Sequence, residues 1–183
     1  MSEGPTVHGI EHIGMTVPNM AEATRFFEQA FAAQHLYDLL SPDREGDVAP
    51  PSSVLTNMIG VEPGAAMLHI RMLRLGSGPN LELFCFSAPQ QRPPAAPNDF
   101  GVGHLGILVD DLEGVAQRIV DAGGSMLDGP IDLPGLESGD GNRFWYARAP
   151  WGSLIELTSL SSPQAYYATT PQRRWLPESK PLP

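Results

Sequence analysis

The chain has 183 residues, 42% of them hydrophobic, enough for one domain with a sizeable core or for two small modules that share one. The formal net charge is −10, from 11 basic and 21 acidic residues, and neither half carries a basic patch. That balance excludes nucleic acid and anionic membrane as main partners, and no stretch of roughly 18 apolar residues exists to form a transmembrane helix.

The opening run MSEGPTVHGIEH lacks a basic n-region and a long apolar h-region, and the single cysteine, Cys85, cannot form an internal disulfide. Both features point to a cytoplasmic protein. Gly and Pro, 19 of each, are not periodic, which excludes collagen-like and solenoid architectures.

An internal repeat organises the chain. Residues 9–20 read GIEHIGMTVPNM and residues 101–112 read GVGHLGILVDDL; at an offset of 92, Gly9 matches Gly101, His12 matches His104, Gly14 matches Gly106 and Val17 matches Val109. After the first strand, Asn19 and Glu22 form a capping-box pattern for a helix to about Ala33, with Ala23, Phe26, Phe27, Ala30 and Phe31 on one face. Residues 41–65 are an insertion, either a cover over a cavity or an ordinary surface loop, with a weak strand near Val54–Ile59. Strands follow at Ala66–Leu73 and Asn80–Phe86. In the second repeat Asp111 caps a helix whose apolar stripe is Leu112, Val115 and Ile119, and Gly123 and Gly124 end it. A weak strand near Ser125–Leu127 precedes strands at Arg143–Ala147 and Ser153–Ser159. The expected organisation is a first module over 7–98, a second over 99–160, and a Pro-rich extension over 161–183 that either wraps over the protein or a partner subunit or is a disordered tail.

Four polar residues stand out. His12 and His104 each lie on a mostly apolar strand; singly, each reads as a satisfied core histidine, and as a repeat-related pair each reads equally as a ligand. Glu82 in Leu81-Glu82-Leu83-Phe84 and Glu156 in Ile155-Glu156-Leu157 each sit between large apolar residues in a module's last strand. Such a carboxylate is either solvent-facing or, if buried, must be paired or bind a cation. Two imidazoles and two carboxylates suit Zn, Ni, Co, Mn or Fe. Phe84 and Phe86 share the face of Glu82, whereas Cys85 lies opposite.

The segments GIEHIGMTVPNMAEATRFFEQAF, GPNLELFCFSAP, GVGHLGILVDDLEGVAQRIVDAGG and GNRFWYARAPWGSLIELT resemble the vicinal oxygen chelate superfamily, in the style of glyoxalase I and methylmalonyl-CoA epimerase, across roughly residues 7–160. The resemblance implies an α+β fold of paired βαβββ modules forming a curled mixed sheet around a metal site. It places the metal ligands at His12, Glu82, His104 and Glu156. Glu at 82 is similar to bacterial glyoxalase I, whereas the epimerase has Gln there; Gly141-Asn142-Arg143 and Ile155-Glu156-Leu157-Thr158 resemble the epimerase. Extradiol dioxygenases, a third relative, would use His12, His104 and Glu156 around Fe(II). A homodimer is the assembly the resemblance implies.

Around this centre, His69 and Arg71 are read as facing the cavity, where they would bind substrate, or else as a solvated strand face. Arg143 either anchors a substrate anion or ties down the Gly139–Asn142 turn. Phe144, Trp145, Tyr146 and Trp151 form an aromatic cluster of packing and pocket-lining rings. The absence of P-loop, CxxC, HExxH and GxSxG patterns removes nucleotide-hydrolysis and serine-hydrolase readings. The leading expectation is a metal-dependent isomerase, epimerase or lyase. It would move a proton next to a carbonyl or thioester of a small molecule, with Glu156 or Glu82 as the base. An Fe(II)-dependent extradiol-type dioxygenase and a small-molecule binding protein are the alternatives.

Overall fold

A computed structural model describes residues 7–177. In chain order it contains β1 (His12–Thr16), α1 (Met20–Phe31), β2 (Gln34–Leu40), α2 (Ser52–Ile59), β3 (Ala66–Arg74) and β4 (Asn80–Ser87). There follow β5 (Leu105–Leu108), α3 (Leu112–Asp121), β6 (Ser125–Met126), β7 (Ile131–Asp132), β8 (Arg143–Arg148) and β9 (Leu154–Ser159). The chain divides into two compact units: one combines the residues up to Met20 with Gln34–Pro89, the other Ala21–Ala33 with the chain from Gln90. Helix α1 therefore belongs with the second unit from Ala21 onward.

The first unit is built on a sheet of order β1-β4-β3-β2, in which β1 and β4 are parallel and the other neighbours antiparallel. Alternation along β4 buries Leu81, Leu83 and Cys85 on one face and leaves Glu82, Phe84 and Phe86 half-buried on the other. The insertion covers this second face. Its helix α2 inserts Leu55, 1% exposed, into a cluster with Met67 and Ile70, against which Leu40, Ala49, Val61, Phe84 and Phe86 pack. A strand near Val54–Ile59 is thus corrected to a helix. The chain leaves Pro51, closes a helical turn, and stops at Gly60, whose left-handed φ of 74° lets its N–H reach the Thr56 carbonyl.

Strand β2 was not anticipated. It is the sheet's edge and exposes Leu36, Tyr37 and Leu39. The loop after it folds back: Arg44 Nη1 and Nη2 donate to the carbonyls of Asp38 and Leu39 at 3.0 and 2.9 Å, and Arg44 Nε donates to Asp47 at 2.7 Å.

The second unit has a sheet of order β5-β9-β8-β6, with β7 paired to β8 and β5 parallel to β9. Asp111 caps α3 by accepting the Gly114 N–H at 2.9 Å, an interaction worth about 1 kcal/mol. Leu112, Val115, Ala116 and Ile119 form its buried stripe. In α1, Ala23, Phe26, Phe27 and Ala30 are at most 1% exposed, and Phe26 and Phe27 lie 5.4 and 5.8 Å from the Trp151 ring. A Cβ on Gly124 would meet the Ile119 side chain at 2.7 Å and the Arg148 carbonyl at 2.8 Å, so only glycine lets the end of α3 approach β8.

The Pro-rich extension packs on this unit as far as it is described. Ala165 N–H donates to the Ser138 carbonyl at 2.9 Å, Arg174 pairs with Glu137 at 2.7 Å, and Arg173 lies 4.1 Å over the Tyr167 ring. Residues beyond 177 lie outside the described chain.

The fold is α+β with mixed sheets, but a curled sheet around a metal site is overturned. Each sheet is open: β1 and β2 end the first without pairing to each other, and β5 and β6 likewise end the second. No helix among the described residues is long and apolar enough to cross a membrane.

Candidate metal centre

The repeat places its polar residues in matching registers. In the first sheet Gly14, Glu82 and Met72 stand side by side on β1, β4 and β3. In the second, Gly106, Glu156 and Tyr146 stand side by side on β5, β9 and β8. Cross-strand neighbours share a face, and each histidine, two residues before the glycine, joins it. His12 Nε2 lies 3.4 Å from Glu82 Oε2, and His104 Nε2 lies 2.9 Å from Glu156 Oε2. The imidazoles are 43% and 40% exposed and the carboxylates 19% and 20%, so both pairs are open to an incoming ligand.

Two ligands bound to one divalent ion at about 2.0–2.2 Å stand roughly 2.8–3.6 Å apart in octahedral to tetrahedral geometry. Both N···O separations suit that, and nitrogen with carboxylate oxygen is the donor chemistry of first-row ions. Each unit supplies two such donors. Among the described residues, no three His, Cys, Asp or Glu side chains are arranged together to hold an ion.

The pairs are supported differently. Glu11 Oε2 lies 2.5 Å from His12 Nδ1, and Glu11 Oε1 accepts from Asn80 Nδ2 at 3.0 Å. A proton held on Nδ1 by this carboxylate leaves the Nε2 lone pair facing Glu82. The contact raises the His12 pKa and lowers that of Glu11. In the second unit the carboxylate is the supported member. Tyr146 donates its hydroxyl to Glu156 Oε2 at 2.9 Å, Thr158 Oγ1 lies 3.4 Å from Oε1, and the Tyr146 ring stands edge-on to His104. Burial and the Glu156 carboxylate push the Tyr146 hydroxyl up to about 12.

Glu11 is a site residue the sequence reading does not name, and Tyr146, read there only as one of an aromatic cluster, is a hydrogen-bond partner of Glu156. Tyr146 is recoverable from the turn Pro150-Trp151-Gly152: a hairpin centred on Trp151 sets residue 146 opposite 156. Glu11 carries no such signal beyond its place beside a histidine.

His69 and Arg71 lie elsewhere. They register with Cys85 and Leu83, on the face opposite Glu82, and not toward a cavity shared with it. Residues on both faces of β3 are apolar, so its alternation gives no pairing register. Arg71 forms a two-pronged pair with Asp38 of β2, at 2.7 and 2.9 Å. His69 Nε2 sits 3.2 Å from the same carboxylate without the alignment of a hydrogen bond, and His35 Nε2 lies at 3.3 Å. Arg71 holds the Asp38 pKa down to about 2, from 3.8. A depressed carboxylate stabilises the fold above its unfolded pKa, and that contribution fades as pH falls from about 4 toward 2. We therefore expect Asp38→Asn to cost about 2 kcal/mol at pH 7. Thermal melts should show the gap between variant and wild type closing by pH 2; a gap independent of pH would assign the loss to packing.

Arg143 also has a protein partner. Its Nη1 and Nη2 reach Glu113 of α3 at 2.7 and 3.2 Å, and the pair lowers the Glu113 pKa. The neighbouring turn is tied down instead by Asn142, whose Oδ1 accepts the Ser162 N–H at 3.0 Å. Cys85 is buried, and burial raises its thiol pKa, which keeps it unreactive.

Comparison with known proteins decides the family. Residues 11–146 match the Glyoxalase/Bleomycin resistance protein/Dioxygenase superfamily. The chain belongs to that superfamily. A curated relative, a 2-epi-5-epi-valiolone epimerase of Actinomyces sp., is 32% identical over 183 residues, covering 95% of this chain and 91% of that protein. Among solved structures, the glyoxalase family protein APC24694 from Bacillus cereus shares 18% identity with a TM-score of 0.63, covering 87% of this chain and 97% of its own. The fosfomycin resistance protein FosX from Mesorhizobium loti shares 14% identity with a TM-score of 0.55, covering 90% of this chain and all of its own. At these identities both structures speak for the superfamily fold alone.

Proposed function

We propose that this superfamily member is a divalent-metal-dependent epimerase that moves a proton next to the carbonyl of a polyhydroxylated ketone of the valiolone type. The observation that carries the reading is the pair of repeat-related His–Glu contacts, each presenting one nitrogen and one carboxylate oxygen at the spacing of shared metal ligands. The extent of the likeness to the Actinomyces epimerase supports the substrate class.

On this reading the metal-ligand candidates are His12 and Glu82 in the first unit and His104 and Glu156 in the second, a donor set suited to Ni, Co, Zn, Mn or Fe. When bound, the ion supplies Lewis-acid stabilisation for negative charge developing on the substrate's carbonyl oxygen. Epimerisation removes a proton from one face of a carbon and returns one to the other. Glu156 or Glu82 serves as the base that takes up the proton and gives it back. Glu11 holds the His12 ring, and Tyr146 and Thr158 hold the Glu156 carboxylate. Glu82, 3.4 Å from His12, adds a carboxylate that a three-ligand iron oxygenase does not need.

The test is elemental analysis after oxygen-free purification, followed by incubation with 2-epi-5-epi-valiolone in deuterated water. Stoichiometric divalent metal and one deuterium incorporated beside the carbonyl are expected. Metal-bound protein that exchanges no deuterium, or that instead consumes oxygen with catechols, would overturn the proposal.

A further inference from the structure

The two halves of the repeat offer the same row of positions but fill them oppositely. On the first sheet, Glu82 has Met72 beside it, and a Cβ added to Gly14 would meet the Phe84 ring at 3.4 Å. Phe84 and Phe86 stack on each other, with ring centroids 5.8 Å apart, in the cluster closed by Leu55 of α2. A side chain at 14 would thus rest against an aromatic ring.

On the second sheet, the position equivalent to Met72 is Tyr146 and the position equivalent to Phe84 is Thr158. A Cβ added to Gly106 would meet nothing within 4 Å. Gly106 therefore leaves room directly beside the Glu156 carboxylate. The same carboxylate carries two hydroxyls: the Tyr146 hydroxyl donates to Glu156 at 2.9 Å and keeps its lone pairs available, and Thr158 Oγ1 lies 3.4 Å from it. No left-handed backbone conformation requires glycine at 106.

We infer that Gly106 is a specificity-determining residue: the hydroxyl-bearing carbon skeleton of the substrate seats against its backbone, with Tyr146 and Thr158 receiving the hydroxyls. The inference rests on the epimerase reading and deepens it by assigning polyol recognition to the second sheet. A methyl group at 106 occupies the seat and displaces substrate from Glu156.

The test compares wild type, Gly106→Ala and Gly14→Ala, each loaded with the same metal. Deuterium incorporation into 2-epi-5-epi-valiolone, metal content, melting temperature and the melting shift on adding that ketone are read for each. Gly106→Ala should keep its metal and melt no lower than wild type, because the added methyl touches nothing. It should lose at least about tenfold in kcat/KM, mainly through KM, and lose the ketone-induced melting shift. Gly14→Ala should lose several-fold less. An active wild type with an equally active Gly106→Ala would overturn the seat while leaving the epimerase reading in place. Equal losses at both glycines, or loss of metal or fold in Gly106→Ala, would also overturn the seat. A metal-loaded wild type that neither exchanges deuterium nor is stabilised by the ketone would overturn both.

Discussion

Glu156→Gln should lower proton exchange by about 10²–10⁴-fold, the range associated with removing a positioned acid–base group. The fold should survive. Gln keeps the size of Glu and retains an oxygen to accept the Tyr146 hydroxyl that now reaches Oε2 at 2.9 Å. Glu82→Gln, at the other candidate base, should produce a loss of the same order if Glu82 carries the proton. Both variants should also yield their ion to a chelator sooner than wild type, a readout that does not depend on turnover. Tyr146→Phe should fall between wild type and Glu156→Gln, since it removes a support of the carboxylate and not the carboxylate itself; such supports are worth about 10–100-fold in metal affinity or activity. Full activity in Glu156→Gln would remove that residue from the chemistry.

The largest expected effect on stability is at Phe27, which is fully buried and packs 5.3 Å from Phe26 and 5.8 Å from Trp151. Phe27→Ala should cost about 3–5 kcal/mol, combining the lost burial with the cavity left behind. For a chain of this length the melting temperature should fall by about 6–20 °C. Because Trp151 belongs to the same compact unit, Phe27→Ala and Trp151→Ala should not add: the double variant should lose less than the sum of the two. Additive losses would mean that α1 and the Trp151 turn do not form one packing unit.

The repeat made much of this structure legible. The matched histidines and glycines fixed β1 and β5, and the apolar stripes fixed α1 and α3. The Glu between apolar neighbours fixed β4 and β9. The two His–Glu contacts followed, because strand alternation determines which residues share a face. Three features were not legible, each for a physical reason. Strand β2 is an edge with a mixed apolar and polar sequence and two register shifts, so neither periodicity nor burial marks it. Helix α2 is a single short element whose one buried residue, Leu55, cannot set a helical period. The face of His69 and Arg71 depends on how β3 pairs with β4, and a strand that is apolar on both sides carries no record of that pairing.

The Arg44 contacts bear on a hazard separate from catalysis. An exposed edge strand with Leu36, Tyr37 and Leu39 is a template for pairing with another chain, the geometry from which aggregates grow. Arg44 lays a charged guanidinium over two of that strand's carbonyls and so takes up two of its acceptors. The segment that follows β2 thus has two duties: its helix walls the Glu82 face, and its first turn keeps the neighbouring edge from recruiting further molecules.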